Sequence, residues 1–175
     1  GGCKSASVNL TSDVSLLALG EPGNKVRDYL PGEAWEDYLR QRKILQEFFA
    51  TMPLERAASA DDIERIHAAG KLAVFLSVEG GHMVEDDLGL METLRDDGIV
   101  KFQPIHYVFS TLGDNQTDEE VHGGLTPLGK EAVKLAHGLG MVLDAAHASL
   151  KAAADMAEAS GAPIVLSHTL MKYPG

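Results

Sequence analysis

What the chain lacks narrows the field first. It has a single cysteine, Cys3, so no intrachain disulfide can staple it, and nothing in the sequence sets a base beside that thiol. Basic residues are outnumbered: 15 Lys and Arg against 26 Asp and Glu leave a formal charge of −11, which argues against a phosphate-backbone binder. No apolar run approaches the roughly 20 residues that a bilayer-crossing helix requires, and no signal-peptide pattern opens the chain. No Gly-x-Gly-x-x-Gly turn follows a candidate strand, so a dinucleotide site is not indicated. Internal repeats and low-complexity segments are missing too. The chain begins Gly1-Gly2 without an initiator methionine, and we expect it to be a piece of something longer.

What is present suits one globular domain spanning residues 1–175: 45% hydrophobic and 23% charged residues can build a real core. Residues 5–10 alternate weakly as a strand, and residues 11–32, rich in Gly, Pro, Asp and Ser, read as a loop. Helical spacing predicts a helix over 35–52, with Trp35, Tyr38, Leu39, Leu45, Phe48, Phe49 and Met52 on one buried face, stopped by Pro53. Ser59 caps the next helix, with Asp62 in the capping-box position and Ile63 and Ile66 inward. The continuous apolar run 72–78 reads as a strand buried on both faces. A helix over 87–97 buries Leu88, Met91 and Leu94. A strand over 99–105 follows, broken near Gln103 because Pro104 cannot donate to the ladder. Thr126 caps a helix with Pro127 at its first position and Leu128, Ala132, Leu135 and Leu139 inward. Two further apolar runs, 140–147 and 162–168, flank a helix capped by Ser149 and ended by Gly161.

Strands and helices therefore alternate, which predicts an α/β fold, either a (β/α) barrel or a doubly wound sheet. Parallel strands discharge their C-terminal residues at one edge, where such folds carry out chemistry. Four successive strands end in Glu79, His106, His147 and His168. Taken singly, each imidazole is a hydrogen-bonded strand-end residue as readily as a ligand. Together, a carboxylate and imidazoles are ligands suited to zinc or another divalent metal, and the reaction class they indicate is metal-assisted hydrolysis. A barrel with this polar ring is the better fit. Strand parity puts Asp144 opposite His147 unless a bulge intervenes; it reads either as a partner to a ligand or as a helix-terminus contact. His82 and His122 read as loop histidines, His67 and His137 as helix-surface ones, and Asp114 and Asn115 as loop residues within reach of a substrate.

Four motifs carry a resemblance: Ser77-Val78-Glu79-Gly80-Gly81, Gly124-Leu125-Thr126-Pro127-Leu128-Gly129-Lys130, Leu139-Gly140-Met141-Val142-Leu143-Asp144-Ala145-Ala146-His147, and Ser167-His168-Thr169. In this order and spacing, over 69–169, the chain resembles the membrane (renal) dipeptidases, zinc metallopeptidases on a TIM-like barrel. The resemblance implies that Glu79 bridges two zinc ions and that His147 and His168 complete the second zinc site. It further implies that His106 contacts the substrate and helps stabilise the tetrahedral intermediate, and that a bridging hydroxide attacks a dipeptide. It also suggests homodimers.

The chain departs from the family pattern in three ways. Ile105-His106-Tyr107 stands where the family has Thr-His-Asn, which puts the substrate preference in question. The family's first-zinc His-x-Asp pair is absent, as are the arginine and aspartate that follow the second zinc histidine. A closed barrel takes about 250 residues, so the expectation is an incomplete barrel of about five of eight strands, inactive by itself. Two other readings stay open. One is a different metal-dependent barrel hydrolase, although Lys71 and Lys101 begin strands and so are badly placed to bridge metals. The other is a barrel that binds a small ligand without turning it over. The compartment is left open.

Overall fold

The computed structural model describes residues 2–18 and 25–168. Five strands form one wholly parallel sheet: β1 (Ser5–Thr11), β2 (Leu54–Arg56), β3 (Leu72–Glu79), β4 (Ile99–Gln103) and β5 (Val142–Leu143). Their order is β1-β3-β4-β5, with β2 paired to the start of β3. Five helices alternate with them: α1 (Glu33–Thr51), α2 (Ala60–Ala68), α3 (Leu90–Asp96), α4 (Pro127–Gly138) and α5 (Leu150–Ser160). Short 3-10 turns lie at Val14–Leu16 and His82–Val84. A single parallel bridge, Asp144 to Val165, continues the sheet past β5. The sheet is an open arc of the alternating α/β kind, an incomplete barrel as the sequence predicts.

Local chemistry explains most boundaries. Ser59 and Asp62 form a reciprocal capping box at α2. Thr126 accepts the Gly129 amide at α4, with Pro127 at the first position, and Ser149 accepts the Ala152 amide at α5. β4 stops at Gln103, as Pro104 requires; from there the Gln103 and Pro104 carbonyls accept the Gly80 and Gly81 amides and tie the ends of β3 and β4 together.

The core sits where β3 and β4 are covered by helices. Val74, Leu76 and Val78 of β3 and Phe102 of β4 are buried against Met91, Leu94, Ala132, Val133 and Met156. Each of these side chains larger than alanine contributes about 1.5–3 kcal/mol by leaving water. Gly129 lets α4 approach the preceding loop: a Cβ there would stand 1.9 Å from the Leu112 carbonyl oxygen. Ile66, Met91 and Leu94 are fully buried as expected.

The aromatic stripe of α1 is the clearest departure. Tyr38 is buried, stacked on Trp35 and hydrogen-bonded to Asp97, but Leu39, Phe48 and Met52 are exposed. The helix packs on the His82–Val84 turn and on β1 and β2. Its apolar second half borders a groove of about 690 Å³ lined by Val8, Leu10, Ile44, Phe48 and Phe49, beside β1 at the end of the strand order. The expected strands over 140–147 and 162–168 shrink to two residues and one bridge, because the chain turns at Ala145 to His147.

Candidate active site

The strand ends deliver their polar residues to one place. Glu79 closes β3; its Oε2 accepts from Thr11 Oγ1 at 3.1 Å and Asn9 Nδ2 at 3.2 Å, both on β1, which turns Oε1 toward the imidazoles. His168 Nε2 lies 2.8 Å from that Oε1, His106 Nε2 3.6 Å and His147 Nε2 3.7 Å. His147 Nε2 and His168 Nε2 are 2.8 Å apart. The Glu79 carboxyl is held down to about 2, first by hydrogen bonding to His147, against the opposing effect of burial, then by the charges of His106 and His168 and by Thr11.

A divalent cation suits this donor set. Bonds of about 2.0–2.2 Å in a tetrahedron put neighbouring ligand atoms about 3.3–3.6 Å apart, and the observed separations of 2.8–3.7 Å bracket that spacing. Glu79, His106 and His147 already bring one ligand atom each within 4.8 Å of one another. His168, more exposed than these, stands closer still to Glu79.

Each imidazole is held from behind. His106 is buried, and its Nδ1 pairs with Oδ1 of the fully buried Asp13, whose Oδ2 accepts the Tyr107 and Val108 amides at 3.1 Å each. A carboxylate only accepts, so His106 carries a hydrogen on Nδ1, and its Nε2 faces Glu79. Burial pushes the Asp13 carboxyl up, but the His106 hydrogen bond, the charges of His82 and His106 and the Val108 amide outweigh it and hold the group below its ordinary value. His147 has φ of 65°, the left-handed region that a non-glycine residue adopts at a cost of about 1–3 kcal/mol and that clusters at functional sites. Its carbonyl accepts the Gln116 amide, and the Tyr107 ring lies 4.6 Å from its ring and 4.4 Å from that of His106. His168 Nδ1 is 2.7 Å from Ser167 Oγ, itself bonded to Asp144.

Thus Glu79, His106, His147 and His168, all expected from the sequence, converge, whereas Asp114 does not join them. Its carboxylate is turned into its own loop and accepts the Val121, His122 and Gly124 amides, so it braces the loop, and the expected substrate contact finds no support. Asn115 likewise serves the loop, donating to the Tyr107 carbonyl. His82 is buried between Ser12 Oγ and the Val108 carbonyl, not solvated as expected, and burial lowers its pKa. Asp13 and Ser12 carry no sequence signal: they sit in a Ser/Asp-rich loop and meet partners about 70 to 95 positions away. Asp144 is fully buried and paired with Lys101 at 2.7 Å. The parity argument did not apply to it, because regular strand ends at Leu143.

A parallel α/β sheet that gathers one carboxylate and several imidazoles at its C-terminal edge is an incomplete α/β barrel with a candidate metal site. The chain belongs to the membrane dipeptidase family (peptidase family M19), which it matches over residues 10–173, and membership in a metallopeptidase family implies a metal ion at such a site. It is 29% identical over 149 residues to dipeptidase tcpJ of Claviceps purpurea (strain 20.1), covering 83% of this chain and 35% of that protein. To dipeptidase 3 of Rattus norvegicus it is 29% identical over 138 residues, covering 75% and 28%. Its fold superposes on the probable dipeptidase PvdM from Pseudomonas aeruginosa with a TM-score of 0.77 at 24% identity, over 92% of this chain and 41% of that one. A metallo peptidase from Rhodobacter sphaeroides, liganded with a phosphinate mimic of the dipeptide L-Ala-D-Ala, gives 0.70 at 19%, over 91% and 50%. The chain thus spans about a third of the length of these sequence relatives. Among the described residues, no helix is long and apolar enough to cross a membrane.

Proposed function

We propose that the protein containing this chain hydrolyses dipeptides with zinc, using Glu79, His147 and His168 as metal ligands and His106 as the residue that contacts the substrate. The observation that carries this reading is the approach of His168 Nε2 and His147 Nε2 to Glu79 Oε1, at 2.8 and 3.7 Å. A cation placed among them would replace these hydrogen-bonded contacts by coordination to the same three atoms. When bound, zinc acidifies water near neutral pH and polarises a carbonyl. Glu79 supplies the negative charge and, with one oxygen fixed by Asn9 and Thr11, holds the other in place. His106, paired with the buried Asp13 carboxylate through Nδ1, would meet the charge developing on the peptide carbonyl oxygen with a second hydrogen on Nε2, the doubly protonated ring that Asp13 balances. Tyr107 walls the site beside His106 and His147.

By the resemblance, the complete site would hold two zinc ions, with Glu79 as the carboxylate that would serve both. The His-x-Asp pair that would hold the other ion does not occur in this sequence, so the 175-residue chain alone is inactive on this reading, and a homodimer of the complete protein is its expected assembly. Rates of dipeptide hydrolysis by the complete protein, with and without a chelator, test the reading. Loss of activity on chelation, its recovery with zinc and its absence in Glu79→Gln are expected. Hydrolysis indifferent to the chelator would refute it, and a protein with neither zinc nor turnover would be a binding barrel.

A further inference from the structure

We propose that Asp144 and Ser167 are positioning residues that fix which nitrogen of His168 bears hydrogen, and so keep its Nε2 bare toward the cation; the inference rests on the metal role given above to His168. The argument is a count of hydrogens. Asp144 is fully buried and accepts from Lys101 Nζ at 2.7 Å, Ser167 Oγ at 2.5 Å, the Ala146 amide at 3.1 Å and the Ser167 amide at 3.2 Å. Burial alone would raise its carboxyl, but the Lys101 and Ser167 hydrogen bonds prevail and hold it below the ordinary value, so it is an ionised acceptor.

A serine hydroxyl has one hydrogen, and the Ser167 hydrogen goes to Asp144. Ser167 Oγ therefore meets His168 Nδ1, 2.7 Å away, only as an acceptor. Nδ1 must then carry the hydrogen, and in the neutral ring Nε2 is left with its lone pair, 2.8 Å from Glu79 Oε1 and 2.8 Å from His147 Nε2. In the metal-free site Glu79 Oε1, an acceptor 2.8 Å from Nε2, pulls the hydrogen the other way, so Asp144 and Ser167 are what hold it on Nδ1 against that pull. The same carboxylate ties the end of β5 to the segment bearing His168, through the Ala146 and Ser167 amides, so the orientation of the ring and its tautomer are set together. Lys101, in the middle of β4, acquires a role as the counter-charge that keeps Asp144 ionised.

The test uses the complete protein, freed of metal and labelled with ¹⁵N-histidine, at a pH near 8 where a free imidazole is neutral. Long-range ¹H–¹⁵N correlation reads the His168 tautomer directly, and competition with a chromophoric chelator reads zinc affinity. The wild type is expected to show the Nδ1–H form. Ser167→Ala should shift His168 toward the Nε2–H form and weaken zinc binding by about 10- to 100-fold, and Ser167→Thr, which keeps the hydroxyl, should restore both. Asp144→Asn, whose amide can donate to Ser167 and free its hydrogen for Nδ1, should also favour Nε2–H. An Nε2–H tautomer in the wild type, or a tautomer and affinity unmoved by Ser167→Ala, would overturn the inference. Failure of the wild type to bind zinc would instead overturn the metal role of His168 on which the inference rests, a result that the tautomer measurement keeps separate.

Discussion

Truncating Asp13 to alanine should cost the protein several kcal/mol, and replacing it with asparagine should separate folding from chemistry. Asp13 is fully buried and accepts three hydrogen bonds, from His106 Nδ1, the Tyr107 amide and the Val108 amide. Alanine leaves those donors without a partner. At about 1–3 kcal/mol for each buried donor left unsatisfied, the two amides alone account for about 2–6 kcal/mol, a large part of the 5–15 kcal/mol by which domains are stable. Asparagine can place its oxygen where Oδ2 stood and keep both amides. Its NH₂ then faces His106 Nδ1, donor against donor, unless the imidazole moves its hydrogen to Nε2. The expected loss of stability is smaller, about 1–2 kcal/mol, while kcat for dipeptide hydrolysis falls at least about tenfold with KM changed less. Urea denaturation and steady-state kinetics on the complete protein measure the two effects. A cost below about 1 kcal/mol for Asp13→Ala would refute the reasoning, since it would mean the carboxylate is not the acceptor of those amides.

Two further predictions rest on α4 and on Asp144. Gly129→Ala and Gly138→Ala lie in one helix yet should have opposite signs. The first drives a Cβ to 1.9 Å from a backbone oxygen and should destabilise by about 1–3 kcal/mol or more, whereas nothing lies within 4 Å of the second, which should gain about 0.5–1 kcal/mol; denaturation midpoints decide. Asp144, whose folded-state pKa lies below the usual 3.8, contributes stability above that pH that is lost as the pH falls through the folded value. Asp144→Asn should therefore be less stable at neutral pH and converge on the wild type in acid, and curves that stay parallel down to about pH 2 would contradict this.

How much could be read in advance depended on the range of the interaction. The apolar run of β3 and the caps Ser59, Thr126 and Ser149 are local, and each element formed where they pointed. Pro104 ended β4 for a covalent reason. Glu79, His106, His147 and His168 could be grouped because parallel strands share a C-terminal edge, a topological inference needing no contact map. β2 was not legible: three residues, Leu54, Glu55 and Arg56, become a strand only by pairing with the start of β3. Nor was the burial of His82, fixed by a turn and by partners at Ser12 and Val108. Asp13 behind His106 and Lys101 against Asp144 are likewise tertiary pairings, 93 and 43 positions apart, that no periodicity announces. The exposed Phe48 and Met52 show the reverse limit, since helical spacing reports which residues share a face but not whether anything covers it.

Anomalous scattering at the zinc edge, from crystals of the complete protein grown with zinc, probes the central claim most directly. The account predicts a peak about 2.0–2.2 Å from a Glu79 carboxylate oxygen and from Nε2 of both His147 and His168. A peak elsewhere, or none among these three side chains in an enzyme that still cleaves dipeptides, would contradict it.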